Sequence, residues 1–228
     1  MERTKVICHM YLSIDGKIDG KYMDETGCDA SGEYYDLTIW EMGNANGNGS
    51  RTALMYFANK SVDYSKYNTN NIDYSDNIIK SDYYWVIFDR FGKCNWDTNT
   101  VTYGGKTALV LMVLTKNVKK EYLAHLRNLG ISYIFAGEKD LDLNKALVKL
   151  KEMFAINNLV LCGGATINGV FHEAGLLDEL SLVIAPYIEG DHEEKGYVEL
   201  NRFVNNKYVY KSVKTLPDGG VHLIFKKE

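Results

Sequence analysis

Residues 158–169, Asn-Leu-Val-Leu-Cys-Gly-Gly-Ala-Thr-Ile-Asn-Gly, contain the residue types of an anion-binding turn. The apolar run 159–162 is typical of a strand buried on both faces, and Gly163 and Gly164 follow it at once. A strand that turns through two glycines into a helix directs unpaired backbone N–H groups and the positive end of the helix to one point. Because glycine has no Cβ, an anion can approach the main chain closely there. The spacing predicts a site for a phosphate-bearing ligand.

The spacing of this turn leaves one alternative open. Strand-to-helix turns rich in glycine also occur without any ligand, so a purely structural turn fits the same residues. No Gly-Lys-Ser/Thr follows the glycines, and the spacing is not that of the Gly-x-Gly-x-x-Gly dinucleotide fingerprint. Neither a Walker motif nor that fingerprint is therefore predicted.

A second polar turn follows the first predicted strand, residues 6–12. Its Ser13 and Asp15 offer a hydroxyl and a carboxyl group, and we predict a polar or acid role for Asp15. An Asp that holds a turn by bonding its own backbone is the alternative. Ligand crevices of parallel sheets lie beyond the carboxyl ends of the strands. We therefore expect this turn and the turn at residues 163–166 at one crevice.

The cysteines and histidines do not form the pattern of a metal site. The four cysteines are widely scattered with no Cys-x-x-Cys pair, so neither a zinc site nor a disulfide framework is predicted. Cys8 and His9 are neighbours on a predicted strand and point to opposite faces, and the other histidines are isolated. Four free thiols indicate a reducing compartment, with the cytoplasm as the expected location: Cys8, Cys28, Cys94 and Cys162.

Composition narrows the class of protein. The chain has 228 residues, of which 46% are hydrophobic and 25% charged, and this fits one fairly large folded domain or two small ones. A net charge of −4 does not indicate binding to nucleic acid or to an anionic membrane. No apolar run approaches the length of a membrane span, and the N-terminus lacks the apolar core of a signal peptide. A small-molecule ligand is the expected partner.

Strands that alternate with helices of ten to fifteen residues predict an α/β protein, with a largely parallel sheet and helices on both faces. The predicted strands are residues 6–12, 53–57, 84–88, 109–114, 131–135, 159–162 and 179–185, followed by an antiparallel hairpin, 208–213 with 221–226. The predicted helices are residues 33–42, 118–129 before Gly130, 143–154 after the N-cap Asp142, and 165–175. Residues 43–50 are predicted as flexible loop and 59–82 as a long excursion.

Stretches in three separated parts of the chain resemble the reductase domain at the C-terminus of the riboflavin-biosynthesis protein RibD. Residues 161–169 and 174–180 are similar to its Glu-Gly-Gly-x-x-x-Asn-Gly turn and its Ala-Gly-Leu-x-Asp-Glu-Leu run. Residues 13–18, Ser-Ile-Asp-Gly-Lys-Ile, resemble its Ser-Leu-Asp-Gly-Arg/Lys turn, and residues 84–89 resemble its Val-Val-Leu-Asp strand end. The resemblance covers essentially the whole chain. It implies a single dihydrofolate-reductase-like domain, residues 1–228, with three layers and a mostly parallel central sheet.

The resemblance also implies a cofactor. NADPH is the expected hydride donor, with its diphosphate against the glycine turn formed by Gly163, Gly164, Ala165, Thr166, Ile167 and Asn168. Ser13 and Asp15 would line the crevice near the nicotinamide and the substrate. The turn after the third strand would approach the adenosine end, which makes Arg90 or Lys93 a candidate for the 2′-phosphate. An Arg that is simply solvated is the alternative there.

The chain departs from the family's pattern at three places. Cys162 stands where the family has a Glu associated with substrate, and we predict that Cys162 is a substrate-binding and catalytic residue. The family's Gly-Arg-x-Thr-like turn after the second strand is expected at residues 57–60. There Phe57 would crowd a backbone that approaches phosphate, and Lys60 would supply a positive charge. The segment that reads the phosphoribosyl-pyrimidine in riboflavin reductases has no match between residues 23 and 40.

The leading hypothesis is an NADPH-dependent reductase that transfers hydride to a C=N or C=O bond of a small pyrimidine- or pterin-like molecule. The alternative is a reductase fold that has lost catalysis and binds a nucleotide or a partner, which Cys162 and Phe57 favour. A homodimer is expected, because residues 221–225 present apolar side chains on a predicted sheet edge and the family's domains tend to pair.

Overall fold

The computed structural model of the chain describes residues 2–24 and 29–228, so the predicted free thiol Cys28 lies outside the described residues. The strands are β1 (Lys5–Leu12), β2 (Ala45–Gly49), β3 (Tyr84–Phe88), β4 (Thr100–Tyr103), β5 (Lys106–Leu114), β6 (Ser132–Phe135), β7 (Asn158–Leu161), β8 (Glu179–Ile184), β9 (Tyr208–Thr215) and β10 (Val221–Lys227). The helices are α1 (Lys21–Asp24), α2 (Asp29–Glu41), α3 (Ser50–Tyr56), α4 (Lys120–Leu129), α5 (Leu143–Phe154) and α6 (Ala165–Glu173).

The chain divides into two compact units. Unit 1 consists of Asn44–Asn157 together with the described residues of Met1–Thr4, and unit 2 consists of Lys5–Gly43 and Asn158–Glu228. Each unit has its own strands and helices, and the glycine turn belongs to unit 2.

Unit 2 is built around β1, which is buried along all but its first residue. β7 and β8 pair with β1 in parallel on either side, and β10 and then β9 extend the sheet in antiparallel fashion from β8. Side chains alternate across β1: Met10 approaches Gly163, while the ring of Tyr11 packs against Tyr35 of α2. Because β1, β7 and β8 are parallel, the residues that follow them lie at one edge of the sheet.

Unit 1 is built around β3 and β5. β3 lies between β2 and β5 in parallel, and every residue of β3 is buried, as expected for a strand covered on both faces. The first half of β5 pairs with β4 in antiparallel fashion and its last residues pair with β6 in parallel. The helix ends agree with the predictions: Asp142 caps α5 by accepting from the N–H of Lys145 at 2.9 Å, and Gly130 ends α4 in the left-handed region.

The prediction for residues 43–57 is wrong. The second strand is β2, in the predicted loop, and the predicted strand 53–57 lies largely in α3. The Asn and Gly residues of β2 have low strand propensity, but bonds from neighbouring side chains hold them: the Trp85 indole N–H donates to Asn48 Oδ1 at 2.8 Å and the Tyr83 hydroxyl donates to Asn46 Oδ1 at 3.0 Å. Tertiary contacts override local propensity here.

The long excursion, residues 59–82, is anchored along β6. Asn77 and Tyr133 exchange two backbone hydrogen bonds of 2.9 Å, and Asp76 accepts from the N–H of Phe135 at 2.8 Å. Lys149 of α5 pairs with the same Asp76 carboxylate at 2.6 Å. The segment therefore covers backbone groups that β6 would otherwise expose at a sheet edge.

The predicted C-terminal hairpin is present, but its order differs from the expectation. β10 lies between β8 and β9, so the predicted edge strand at residues 221–225 is paired on both sides. The outer strand is β9, whose side chains are almost all exposed. The predicted fold class, a mostly parallel α/β arrangement with antiparallel C-terminal strands, is confirmed. Within residues 2–24 and 29–228, no helix is long and apolar enough to cross a membrane.

Candidate functional site

The predicted glycine turn follows β7 directly. Gly163 has φ +86°, in the left-handed region, and a Cβ on it would lie 3.0 Å from Met10 Cε. Both facts favour glycine at this position. Gly164 is the N-cap of α6 with φ −74° and ψ −171°, a conformation that any residue can adopt. The peptide bond between the two glycines is cis.

The first turn of α6 offers free backbone donors. The first helical hydrogen bond runs from the N–H of Asn168 to the carbonyl of Gly164 at 3.2 Å. The N–H groups of Ala165, Thr166 and Ile167 have no acceptor in the described part of the chain. Three unpaired donors at the positive end of a helix fit an anionic group such as a diphosphate.

A carboxylate stands beside these donors. The Thr166 hydroxyl donates to Glu199 Oε2 at 2.9 Å, and the N–H of Glu199 donates to the carbonyl of Ala165 at 3.1 Å. Lys195 pairs with the same carboxylate at 2.6 Å. The negative charge of Glu199 suits a helix N-terminus, but it opposes a second anion at the same place.

Asn168 is positioned differently from the other residues of the turn. Its side chain is fully buried, and its amide nitrogen donates to the carbonyl of Tyr197 at 2.8 Å and contacts Met10 Sδ at 3.3 Å. Its Oδ1 has no partner among the described residues. Asn168 thus joins α6 to the segment around Tyr197, and its assignment to the cofactor stays a prediction.

Asp15 holds a loop. Its carboxylate accepts from the N–H groups of Glu189 and Gly190, each at 3.0 Å, and from the Ser13 hydroxyl at 2.7 Å. These hydrogen bonds, with that of Ser13 the strongest influence, lower the pKa of Asp15 to about 2. The turn-holding alternative fits these contacts, although the backbone that Asp15 holds is that of another loop. The polar or acid role of Asp15 stays a prediction.

Ser13 and Cys162 lie at the same edge of the unit 2 sheet, after β1 and β7. Ser13 is buried, and its hydroxyl also accepts from the N–H of Lys17 at 3.0 Å, so it belongs to the turn itself. Cys162 is half-buried and its thiol donates to the carbonyl of Val160 at 3.2 Å. Register pairs Leu161 with Cys8, so β7 ends four residues before β1 does. The substrate roles of both residues stay predictions.

Two of the three predicted cations of unit 1, Arg90 and Lys60, are each paired with a carboxylate. Arg90 binds Asp140 at 2.6 Å and the carbonyl of Lys139 at 2.9 Å, and its guanidinium lies over the Phe91 ring. Lys60 lies 3.7 Å from Asp97. The reason given for Lys60 is wrong, because it does not follow the second strand.

The residues that do follow the second strand escaped the sequence prediction. β2 ends at Gly49 and Ser50-Arg51-Thr52 follow it, in an order that differs from the Gly-Arg-x-Thr-like turn of the family. Phe57, expected to crowd a phosphate there, instead caps the C-terminus of α3 with its ring 5.5 Å from that of Trp85. Arg51, which follows β2, is exposed.

The side chains with metal-ligand chemistry in the described part of the chain are those of His, Cys, Asp and Glu. No group of three or more His, Cys, Asp or Glu side chains that could hold a metal ion occurs within the described ranges. The donor set of the glycine turn, backbone N–H groups, is suited to anions and not to cations.

Solved structures share this fold. Acinetobacter baumannii RibD superposes with a TM-score of 0.66 at 18% identity over 99% of this chain and 58% of RibD. A pyrimidine reductase-like protein from Corynebacterium diphtheriae gives a TM-score of 0.69 at 14% identity, covering 99% of this chain and 92% of that one. The riboflavin biosynthesis reductase of Saccharomyces cerevisiae gives 0.61 at 16% identity, with 99% and 90% coverage. The class is therefore an α/β fold shared with these proteins.

The sequence places the chain more narrowly. The profile of the RibD C-terminal domain matches residues 4–222, and the chain belongs to that family, as the resemblance predicted. The 2,5-diamino-6-ribosylamino-4(3H)-pyrimidinone 5′-phosphate reductase of Aquifex aeolicus is 33% identical over 85 residues. That alignment spans 37% of this chain and 38% of the Aquifex reductase.

Proposed function

We propose that the protein is an NADPH-dependent reductase of a small pyrimidine- or pterin-like molecule. The observation that carries the proposal is the set of unpaired N–H groups at Ala165, Thr166 and Ile167, behind a glycine turn, in a chain of the RibD C-terminal domain family. Bound NADPH supplies the hydride for a C=N or C=O bond.

The residues of the turn fit a diphosphate. The three N–H groups and the helix dipole would hold its oxygens without a cation, and Gly164 leaves the main chain open to approach. Arg90, for which the family resemblance implies a 2′-phosphate contact, belongs to unit 1 and is paired with Asp140. The Glu199 carboxylate weakens the fit, because two anions at one helix end repel each other. We therefore expect binding weaker than in a relative that lacks an acid there.

Cys162 is the proposed substrate contact at the end of β7. A thiol cannot accept charge-assisted hydrogen bonds as a carboxylate does, so the substrate should differ from one read by a Glu at this position. We expect Cys162→Ala to change turnover or substrate preference and to leave stability nearly unchanged, since the side chain is only half-buried. A loss of ~2 kcal/mol or more, as in a truncated core, would mean that the thiol serves packing.

The test begins with the cofactor. NADPH and NADH are titrated into the purified protein by calorimetry, followed by an NADPH-oxidation screen with pyrimidines, pterins and small imines. Gly164→Val should reduce NADPH affinity more than tenfold, because the backbone at Gly164 accepts valine while the side chain blocks the donors. Gly196→Val is the control: that residue is exposed, and a Cβ there meets only the Gly16 carbonyl at 3.7 Å. Equal affinities of the two variants would refute the site.

A second candidate is a nucleotide-binding protein without catalysis. It is favoured by Asp15, whose carboxylate is occupied as a loop clamp and holds no proton at neutral pH. Tight NADPH binding combined with no oxidation across the substrate screen would select this alternative. Turnover with any member of the screen would exclude it.

We further propose a homodimer and a cytoplasmic location. The exposed edge strand is β9, with Tyr210 61% and Val213 51% exposed, and a second copy could cover it. Sedimentation that shows only a species near 25.9 kDa at micromolar concentration would refute the dimer. Free buried thiols at Cys8 and Cys94 support a reducing compartment.

A further inference from the structure

We propose a second small-molecule site in unit 2, in a cavity of about 320 Å³ beneath an irregular segment that runs along α6. We call residues 194–206 the strap. The ligand class is a neutral, planar aromatic molecule of one or two rings that carries a hydrogen-bond acceptor. The site goes beyond the proposed reductase activity and does not depend on it.

Hydrogen bonds hold the strap at both ends and in the middle, two of them to α6. At one end Ile18 donates its N–H to the carbonyl of Lys195 at 3.0 Å, and in the middle Asn168 reaches Tyr197. At the other end the Asn206 amide donates to the carbonyl of His172 at 2.6 Å. The strap is therefore a fixed wall of the cavity.

Size and shape limit the ligand. A volume of about 320 Å³ lies at the small end of the range for ligand pockets, which suits one or two fused rings. The walls are mainly apolar and aromatic, including Leu180, Leu200 and the stacked pair His172 and Tyr208, whose ring centroids are 6.1 Å apart. Flat rings between such walls favour a flat ligand.

Polar groups in the cavity wall determine where the ligand should carry a hydrogen-bond acceptor. The Tyr197 hydroxyl has no hydrogen-bond partner in the described residues, whereas the Tyr208 hydroxyl lies 3.4 Å from His172 Nδ1. Burial raises the pKa of Tyr197, and it raises the pKa of Tyr208 to about 12, so both phenols are neutral donors. Tyr197 is the unused donor, and the ligand should present an acceptor to it.

The charge of the lining selects a neutral molecule. Arg202 lines the cavity, but its guanidinium is paired with Glu173. Burial, with a smaller contribution from the charge of Lys227, lowers the pKa of His172, so this ring is uncharged at neutral pH. Phe203 at the cavity is 88% exposed, and a bound ring would partly cover it.

The test uses two probes of one shape. Quinoline carries an acceptor nitrogen and naphthalene does not, and both are neutral at pH 8. Each is titrated into the full chain, without NADPH, and followed by amide chemical shifts. We expect quinoline to bind about fivefold more tightly than naphthalene, with the largest shifts at residues 197–208. Tyr197→Phe should make the two affinities equal.

A cavity-filling variant distinguishes binding at this site from nonspecific binding to the protein. Leu200→Trp should weaken quinoline binding at least tenfold, whereas Leu37→Trp, at a position 57% exposed on α2, should leave it unchanged. The proposal is overturned if neither probe shifts residues 197–208, if naphthalene equals quinoline in the wild type, or if Leu200→Trp binds like the wild type. Because no cofactor is present, failure of NADPH binding elsewhere leaves this result unaffected.

Discussion

Gly169→Ala should destabilise the protein although alanine is the better helix former. Gly169 lies inside α6, where the exchange would normally stabilise by about 1 kcal/mol. A Cβ at this position, however, would overlap the carbonyl oxygen of Glu199 and lie 3.2 Å from its carbonyl carbon and 3.4 Å from Leu200 Cδ2. The atoms in the way are mainly backbone, which cannot rotate aside as a side chain does.

The magnitude follows from two terms. Forcing the backbone of the strap away costs about 1–3 kcal/mol, as overpacking does elsewhere. The displaced strap also weakens the bond from the Glu199 N–H to Ala165, worth about 0.5–1.5 kcal/mol. After subtraction of the propensity gain, the free energy of unfolding should fall by about 1–3 kcal/mol. Urea unfolding followed by circular dichroism measures this change.

Gly32→Ala is the matched control. Gly32 lies in α2, and a Cβ there has no neighbour closer than the Tyr11 hydroxyl at 4.0 Å. The same substitution should therefore stabilise by about 0.5–1 kcal/mol. If Gly169→Ala is neutral or stabilising like Gly32→Ala, the strap does not pack against α6 as described.

Three further predictions concern charge. Glu199→Gln should tighten NADPH binding two- to fivefold at low salt, and the gain should shrink in 0.5 M NaCl, because the carboxylate is half-exposed and screened. Asp15→Asn should increase amide exchange at Glu189 and Gly190, yet leave the pH profile of any turnover between pH 5 and 8 unchanged, since its pKa is about 2. Stability should fall between pH 7 and 5, because burial lowers the pKa of His9 to about 3 and also lowers that of His222.

The sign and size of the histidine effect follow from linkage. Between pH 6.5 and 3 the unfolded chain binds a proton at His9 and the folded chain does not, so stability is complete above pH 6.5 and is lost as the pH falls. From pH 7 to 5 His9 should contribute a loss of about 2 kcal/mol. His9→Gln should flatten this slope, while His192→Gln, at an exposed histidine, should not. Equal slopes in both variants would contradict the assignment.

The predictions for Glu199→Gln and Asp15→Asn can each be refuted by one result. Unchanged NADPH affinity in Glu199→Gln at low salt would place the diphosphate away from α6. A shifted pH profile in Asp15→Asn would support its acid role. Both variants should keep the wild-type circular dichroism spectrum, because neither side chain is buried.

Local patterns predicted the parts of the fold that local patterns determine. The stripes of α4 and α5, the cap at Asp142 and the glycine turn were all predicted, because each depends on residues within a few positions. The strand β2 was not predictable in this way. Asn46 and Asn48 become strand residues through bonds to Tyr83 and Trp85, 37 positions later. The same holds for Asp15, whose clamp partners lie on a loop more than 170 positions away.

The strap explains why the candidate anion site could be located from sequence while its affinity could not. Gly163 and Gly164 locate the turn, because only the main chain and the helix end are needed to make donors. Glu199 joins the site through an irregular segment with no periodic signal, held by Ala165 and Thr166. In the absence of a ligand this carboxylate compensates the positive end of α6. A diphosphate must compete with this carboxylate. The affinity of the turn for a ligand therefore depends on how easily the strap can move Glu199 away from α6.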